Sequence, residues 1–126
     1  MSESVNSPVT SGISMIFEWL SLHERQTAVG ATRPIFNFPT KSLDRMTCHA
    51  TLLDAGNASH APHTHPEEEL ILLREGTLEV FCNGKTQMMT AGSIFFAASN
   101  DLHGVKNPGP GRAVYYVLKW FTPKSV

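Results

Sequence analysis

Residues 63–69 read His-Thr-His-Pro-Glu-Glu-Glu, two imidazoles followed closely by a run of carboxylates. In an extended chain successive side chains point to opposite faces, so residues of like parity point the same way. His63 and His65 then stand side by side. If the chain stays extended past Pro66, Glu69, Ile71 and Leu73 share their face, Glu68 points away and Glu67 lies beside the turn. A carboxylate buried there alone would carry a heavy desolvation cost. A divalent cation removes that cost and takes neutral imidazole and carboxylate as ligands. His23, His49 and His60 lack such neighbours and read as surface or hydrogen-bonded residues, and the Glu67-Glu68 pair reads as a solvated face.

The elements that must position this cluster are short. Residues 1–12, rich in Ser, Thr, Asn and Pro, read as a tail. Residues 13–22 (ISMIFEWLSL) are apolar enough to demand burial, as an arm against the body of the protein or a second subunit, and fit helical spacing and strand alike. Gly30, Arg33-Pro34 and Pro39 predict short extended pieces and turns over 23–42. From residue 43 strands follow one another: 43–53, 69–73, 77–82, 85–89, 94–96, 103–106 and 113–121, divided by Gly and Asn turns. Asn83-Gly84 is the strongest hairpin signal, since both residues tolerate positive φ. Many short strands without a long helix predict an all-β sandwich or closed barrel.

The spacing around the cluster resembles the cupin superfamily, whose first motif is G-x5-H-x-H-x(3,4)-E-x6-G. His63-x-His65 is followed at that spacing by Glu69 and Gly76, with Gly56 one residue further upstream than the pattern asks. The second motif, G-x5-P-x-G-x2-H-x3-N, is met by Gly92, His103 and Asn107. Ala98 stands in its proline position and Asn100 in its glycine position. Asn adopts positive φ more readily than most residues, so the turn survives. The resemblance implies a cupin double-stranded β-helix, a jelly-roll barrel over 43–126, preceded by an arm and extra strands over 13–42. It also implies His63, His65, Glu69 and His103 as ligands of one divalent transition metal: iron, manganese, nickel, zinc, cobalt or copper. His103 enters only through this resemblance.

Three imidazoles and a carboxylate leave coordination positions for a small oxygen-containing ligand. The expected activity is that of a small metal-dependent enzyme, of oxygenase, isomerase, decarboxylase or lyase type. The alternative is a non-catalytic barrel that binds or senses a sugar or carboxylate. A pocket partly lined by Ile71, Leu73 and Val105 is expected, and His49, Tyr115 and Tyr116 are the candidates for an acid or base. Phe95 and Phe96 are expected in the core, one of them able to wall the pocket. The 126 residues suit one domain, and a net charge of −1 without a basic stripe points away from nucleic acid and membrane surfaces. No secretory signal or spanning stretch is read, so a cytoplasmic location is expected. Cys48 and Cys82 are expected as free, buried thiols. The apolar arm, with Trp120-Phe121, predicts a homodimer.

Overall fold

The computed structural model describes residues 10–122. The tail expected over 1–12 therefore lies outside the described residues as far as residue 9. A single 3-10 turn, Trp19–Ser21, precedes nine strands: β1 Arg25–Thr27, β2 Gly30–Phe38, β3 Arg45–Leu53, β4 Glu68–Glu75, β5 Thr77–Cys82, β6 Lys85–Thr90, β7 Ile94–Ala97, β8 His103–Lys106 and β9 Ala113–Phe121. They form a six-stranded sheet, β1-β2-β3-β9-β4-β7, facing a three-stranded sheet, β6-β5-β8. This is the all-β jelly roll that the motifs imply. No described helix is long and apolar enough to cross a membrane.

The turn residues act where the sequence places them. Asn83 (φ 48°) and Gly84 (φ 85°) close the β5–β6 hairpin, in which Cys82 faces Lys85. Gly76 (φ 86°) carries the chain from β4 in one sheet to β5 in the other, and a Cβ there would lie 2.6 Å from the Arg112 carbonyl oxygen. Asn100 takes φ 64°, so the turn ahead of β8 forms with Asn in the glycine position.

Strand parity sorts the two faces of the large sheet. On β4, Glu69, Ile71 and Leu73 are buried, as their shared parity predicts. Leu53, Ile71, Leu73, Leu78, Val80, Met89, Val105, Ala113 and Tyr115 fill the space between the sheets. Each fully buried aliphatic side chain contributes about 1.5–3 kcal/mol. Along β3, β4 and β9 the inward face runs from apolar to polar toward one end: Leu53 to His49, Leu73 to Glu69, Ala113 to Lys119. One end of the barrel is thus packed shut and the other carries the chemistry.

Two expectations are corrected. Residues 30–38 form a full strand, with Pro34 inside it. The strand tolerates proline because β1 pairs only with Gly30–Thr32, which leaves the rest of β2 at the sheet edge. A register shift between Pro34 and Phe36 absorbs the missing donor. The arm forms no strand and no helix beyond the 3-10 turn at Trp19–Ser21, and only Phe17, Trp19 and Leu22 are half-buried. Phe17 packs at a tilt against Phe36 (centroids 5.4 Å apart) and Trp19 packs edge-on against Tyr116 at 6.0 Å. The guanidinium carbons of Arg33 and Arg74 each lie 4.3 Å from the Trp19 ring centroid, and Arg33 donates to the Trp19 carbonyl (2.7 Å). Ile13, Met15, Ile16 and Leu20 remain exposed.

Candidate metal centre

His63 and His65 lie in the long β3–β4 connection, held beside the approach to β8 by backbone pairing. His63 and His103 exchange both N–H···O bonds (3.0 and 3.1 Å), and the Asn100 N–H donates to the His65 carbonyl (2.9 Å). A side chain at residue 104 would crowd this connection, since a Cβ there would meet Pro62 at 3.2 Å; glycine lets Pro62 lie on β8. Glu69 enters from the start of strand β4, opposite Ala97 in β7 and Lys119 in β9. Four residues from three parts of the chain thus converge.

Their geometry is close to threefold. The ring centroids of His63, His65 and His103 are 5.0, 5.0 and 5.1 Å apart, and the rings meet edge-on at 67–90°. A ring nitrogen from each lies within 4.8 Å of the others, near enough to hold one ion. The Glu69 carboxylate reaches His65 Nε2 at 3.2 Å and His103 Nε2 at 3.4 Å.

The hydrogen bonds behind the rings decide which atoms face inward. His65 Nδ1 lies 2.8 Å from the Glu67 carbonyl oxygen, and His103 Nδ1 lies 2.8 Å from that of Asp101. A carbonyl only accepts, so each Nδ1 carries a proton and donates it, which makes Nε2 the atom that can offer a lone pair to a ligand. Both Nε2 atoms are buried without a hydrogen-bond partner. They face the Glu69 carboxylate, which is itself only an acceptor when ionised. Burial, then the neighbouring imidazoles of His60, His103 and His65, push the His63 pKa down against the opposing pull of Glu69, which favours its neutral form. Lone pairs and a carboxylate crowded together lack a positive centre, and this donor set fits a divalent cation.

The cluster opens onto a pocket of about 170 Å³. Its walls include His49 and Thr51 from β3, Ile71 from β4, Tyr115, Val117 and Lys119 from β9, Val105 from β8, and Ser59 and His60 from the β3–β4 connection. Tyr115 is buried and its hydroxyl donates to Ser59 Oγ at 3.5 Å.

A family model for the cupin domain matches residues 51–119, more than half of the chain. The chain belongs to the cupin family. No curated protein matches its sequence. Among solved structures, an RmlC-like cupin from Shewanella frigidimarina is 18% identical, with a TM-score of 0.70 over 88% of this chain and 95% of that one. KdgF from Halomonas sp. is 16% identical, with a TM-score of 0.69 over 85% and 94% of the two chains. A protein from Thermotoga maritima described as a predicted oxalate decarboxylase is 17% identical, with a TM-score of 0.67 over 85% and 99%. At these identities the likeness concerns the fold.

Within this cupin barrel the acid–base candidates separate. His49 and Tyr115 line the pocket, whereas Tyr116 does not. Tyr116 has the opposite parity and faces outward against Trp19. Leu73 likewise sits in the core below the pocket, while Ile71 and Val105 reach it. Phe95 packs 6.1 Å from His103, and Phe96 is exposed. Glu67 is half-buried, its carbonyl orienting His65, so it is more than a solvated residue. His60 stacks on His63 with centroids 4.1 Å apart, a role its sequence context did not signal. Lys119, Val117, Thr51 and Ser59 were missed as well. Parity from Tyr115 would have found Val117 and Lys119 once the inward residue of β9 was known. Among the described residues both cysteines are free thiols, Cys48 buried and Cys82 half-buried.

Proposed function

We infer that this cupin binds one divalent transition-metal ion through His63, His65, Glu69 and His103. On this reading it is a metal-dependent enzyme acting on a small oxygen-containing metabolite. The observation that carries it is the convergence of two buried ring nitrogens without a hydrogen-bond partner, His65 Nε2 and His103 Nε2, on the Glu69 carboxylate. A bound ion would supply Lewis-acid polarisation of a substrate oxygen, or redox chemistry if the metal is redox-active.

The chain's own residues supply the rest. The Glu67 and Asp101 carbonyls fix the two rings in the tautomer that leaves Nε2 free. Ile71, Val105 and Val117 give the pocket an apolar wall that limits water. Burial lowers the His49 pKa, so at neutral pH its imidazole is uncharged and can take a proton. Burial raises the Tyr115 pKa, so its hydroxyl stays protonated and acts as a hydrogen-bond donor.

Cobalt(II) loading tests whether the site is open. The visible spectrum of the cobalt protein is expected to change when azide is added, because a coordination position faces the pocket. A spectrum indifferent to azide would indicate a closed, structural ion and would contradict the enzymatic reading. We also infer a homodimer in which a second copy covers Ile13, Met15, Ile16 and Leu20, the last of these 91% exposed. Sedimentation of wild type beside an Ile16→Glu, Leu20→Glu variant is expected to give dimer and monomer respectively. A wild-type monomer would contradict the dimer.

A further inference from the structure

We propose that Lys119 and His49 form an anion-binding end of the pocket, so that the ligand taken beside the imidazole cluster is a small organic carboxylate. The proposal deepens the metal reading and rests on it for where the ligand's other end lies.

Lys119 lies on the inward face of β9, directly across from Glu69 on one side and Thr47 on the other. It is half-buried and lines the pocket. The lysine makes no ion pair among the described residues, although Glu69 is its cross-strand neighbour. The Glu69 oxygens are turned instead to His65 and His103. His49 lies on the neighbouring strand β3, paired with Val117 two positions before Lys119, and its side chain has no hydrogen bond to another described residue. A cation and a polar ring therefore border the cavity with their hydrogen-bonding capacity unspent.

An unpaired cation at the edge of a cavity with apolar walls attracts an anion more strongly than it would in bulk water, because the effective dielectric there is lower. A carboxylate is such an anion: it accepts from the Lys119 ammonium and from a His49 N–H. A neutral polyol would leave the ammonium uncompensated. The small cavity, about 170 Å³, lies below the 300–1,000 Å³ range of sites for drug-sized ligands, which limits the ligand to a few carbons. A short carboxylate carrying a second oxygen function spans both ends: its carboxylate at Lys119, its other oxygen toward the cluster.

The test titrates acetate, pyruvate and malonate, each beside its neutral partner (acetamide, methyl pyruvate, malonamide), into the cobalt-loaded and metal-free full-length protein by calorimetry. At least one anion is expected to bind about tenfold more tightly than its partner, the worth of one charge-assisted hydrogen bond. Lys119→Met is expected to lose about that tenfold for the anion only, and Lys119→Arg to keep most of it. Wild-type protein without preference for any anion, or a Lys119→Met protein that binds anions as wild type does, overturns the proposal. If the Met variant does not keep the wild-type melting curve, the Lys119 ammonium resonance of wild type decides. It should move with the anions and not with their partners, and the reverse refutes the anion end.

Metal content of the same samples separates the two ideas. Loaded protein without anion preference removes the anion end and leaves the metal site standing. Lys119-dependent anion binding by protein that never loads metal does the opposite.

Discussion

Asn107 is the residue whose loss should be felt most sharply at the site's edge. Its side chain is wholly buried and makes three hydrogen bonds: Nδ2 spends both donors on the carbonyls of Leu53 (2.8 Å) and Gly111 (2.9 Å), and Oδ1 accepts from the Gly109 N–H (2.8 Å). The backbone adds two more, Gly56 N–H to the Asn107 carbonyl (2.8 Å) and Asn107 N–H to the Asn57 carbonyl (2.9 Å). One residue thus ties the exit of β8 to the end of β3 and to the connection that leads to His63. Asn107→Ala strands the fully buried Leu53 carbonyl at a cost of about 1–3 kcal/mol, and loses two half-exposed bonds of about 0.5–1.5 kcal/mol each. The expected loss is about 3–4 kcal/mol. With an unfolding entropy of about 2.1 cal/mol/K per residue over 126 residues, this lowers Tm by about 11–15 °C. Asn107→Asp should be worse at pH 7, because a carboxylate then faces two carbonyl oxygens with nothing to donate. Burial raises the pKa of that new carboxyl, so its deficit is present above the raised value and shrinks as pH falls through it. Calorimetric melts of the three proteins at pH 7 and pH 5 make the comparison. An alanine variant melting within about 3 °C of wild type, or an aspartate variant equal to alanine at pH 7, would show that the clamp does not hold the loop.

Two further outcomes follow from the pocket. Tyr115→Phe removes a hydroxyl that lines the cavity and should weaken malonate binding by about three- to tenfold, whereas Tyr116→Phe, outside the barrel, should leave it unchanged; calorimetric titration of both variants checks this, and equal effects would contradict the assigned faces. His49 has a folded pKa lowered from 6.5, first by burial and further by Lys119, against an opposing effect of Glu69. Its neutral form is the one the fold prefers, so its contribution is intact above pH 6.5 and is lost as pH falls through the lowered folded value. Denaturant unfolding between pH 7.5 and 5 should therefore show a shallower acid loss for His49→Gln than for wild type, and identical slopes would refute the assignment.

Much of the fold was legible because its punctuation is local. Asn83-Gly84, Gly76 and Gly92 mark turns by backbone chemistry alone, and parity on β4 placed Glu69, Ile71 and Leu73 on the buried face without any partner strand being known. The imidazole–carboxylate cluster drew notice for the same reason, three of its four residues lying within seven positions. What failed depends on contacts between distant segments. Choosing Tyr115 over Tyr116, or finding Lys119, requires the register of β9 against β3 and β4, which no short window encodes. The arm's path depends on Arg33 and Arg74 meeting Trp19, and β2 survives Pro34 only because β1 is short.

Metal content decides whether His63, His65, Glu69 and His103 hold an ion. Protein purified without chelator or affinity tag, measured by mass spectrometry beside a His65→Ala, Glu69→Ala variant, is expected to carry about one divalent ion per chain against almost none. Equal and negligible metal in both proteins, even after reconstitution with iron, manganese, cobalt, nickel, copper and zinc, would contradict the metal site.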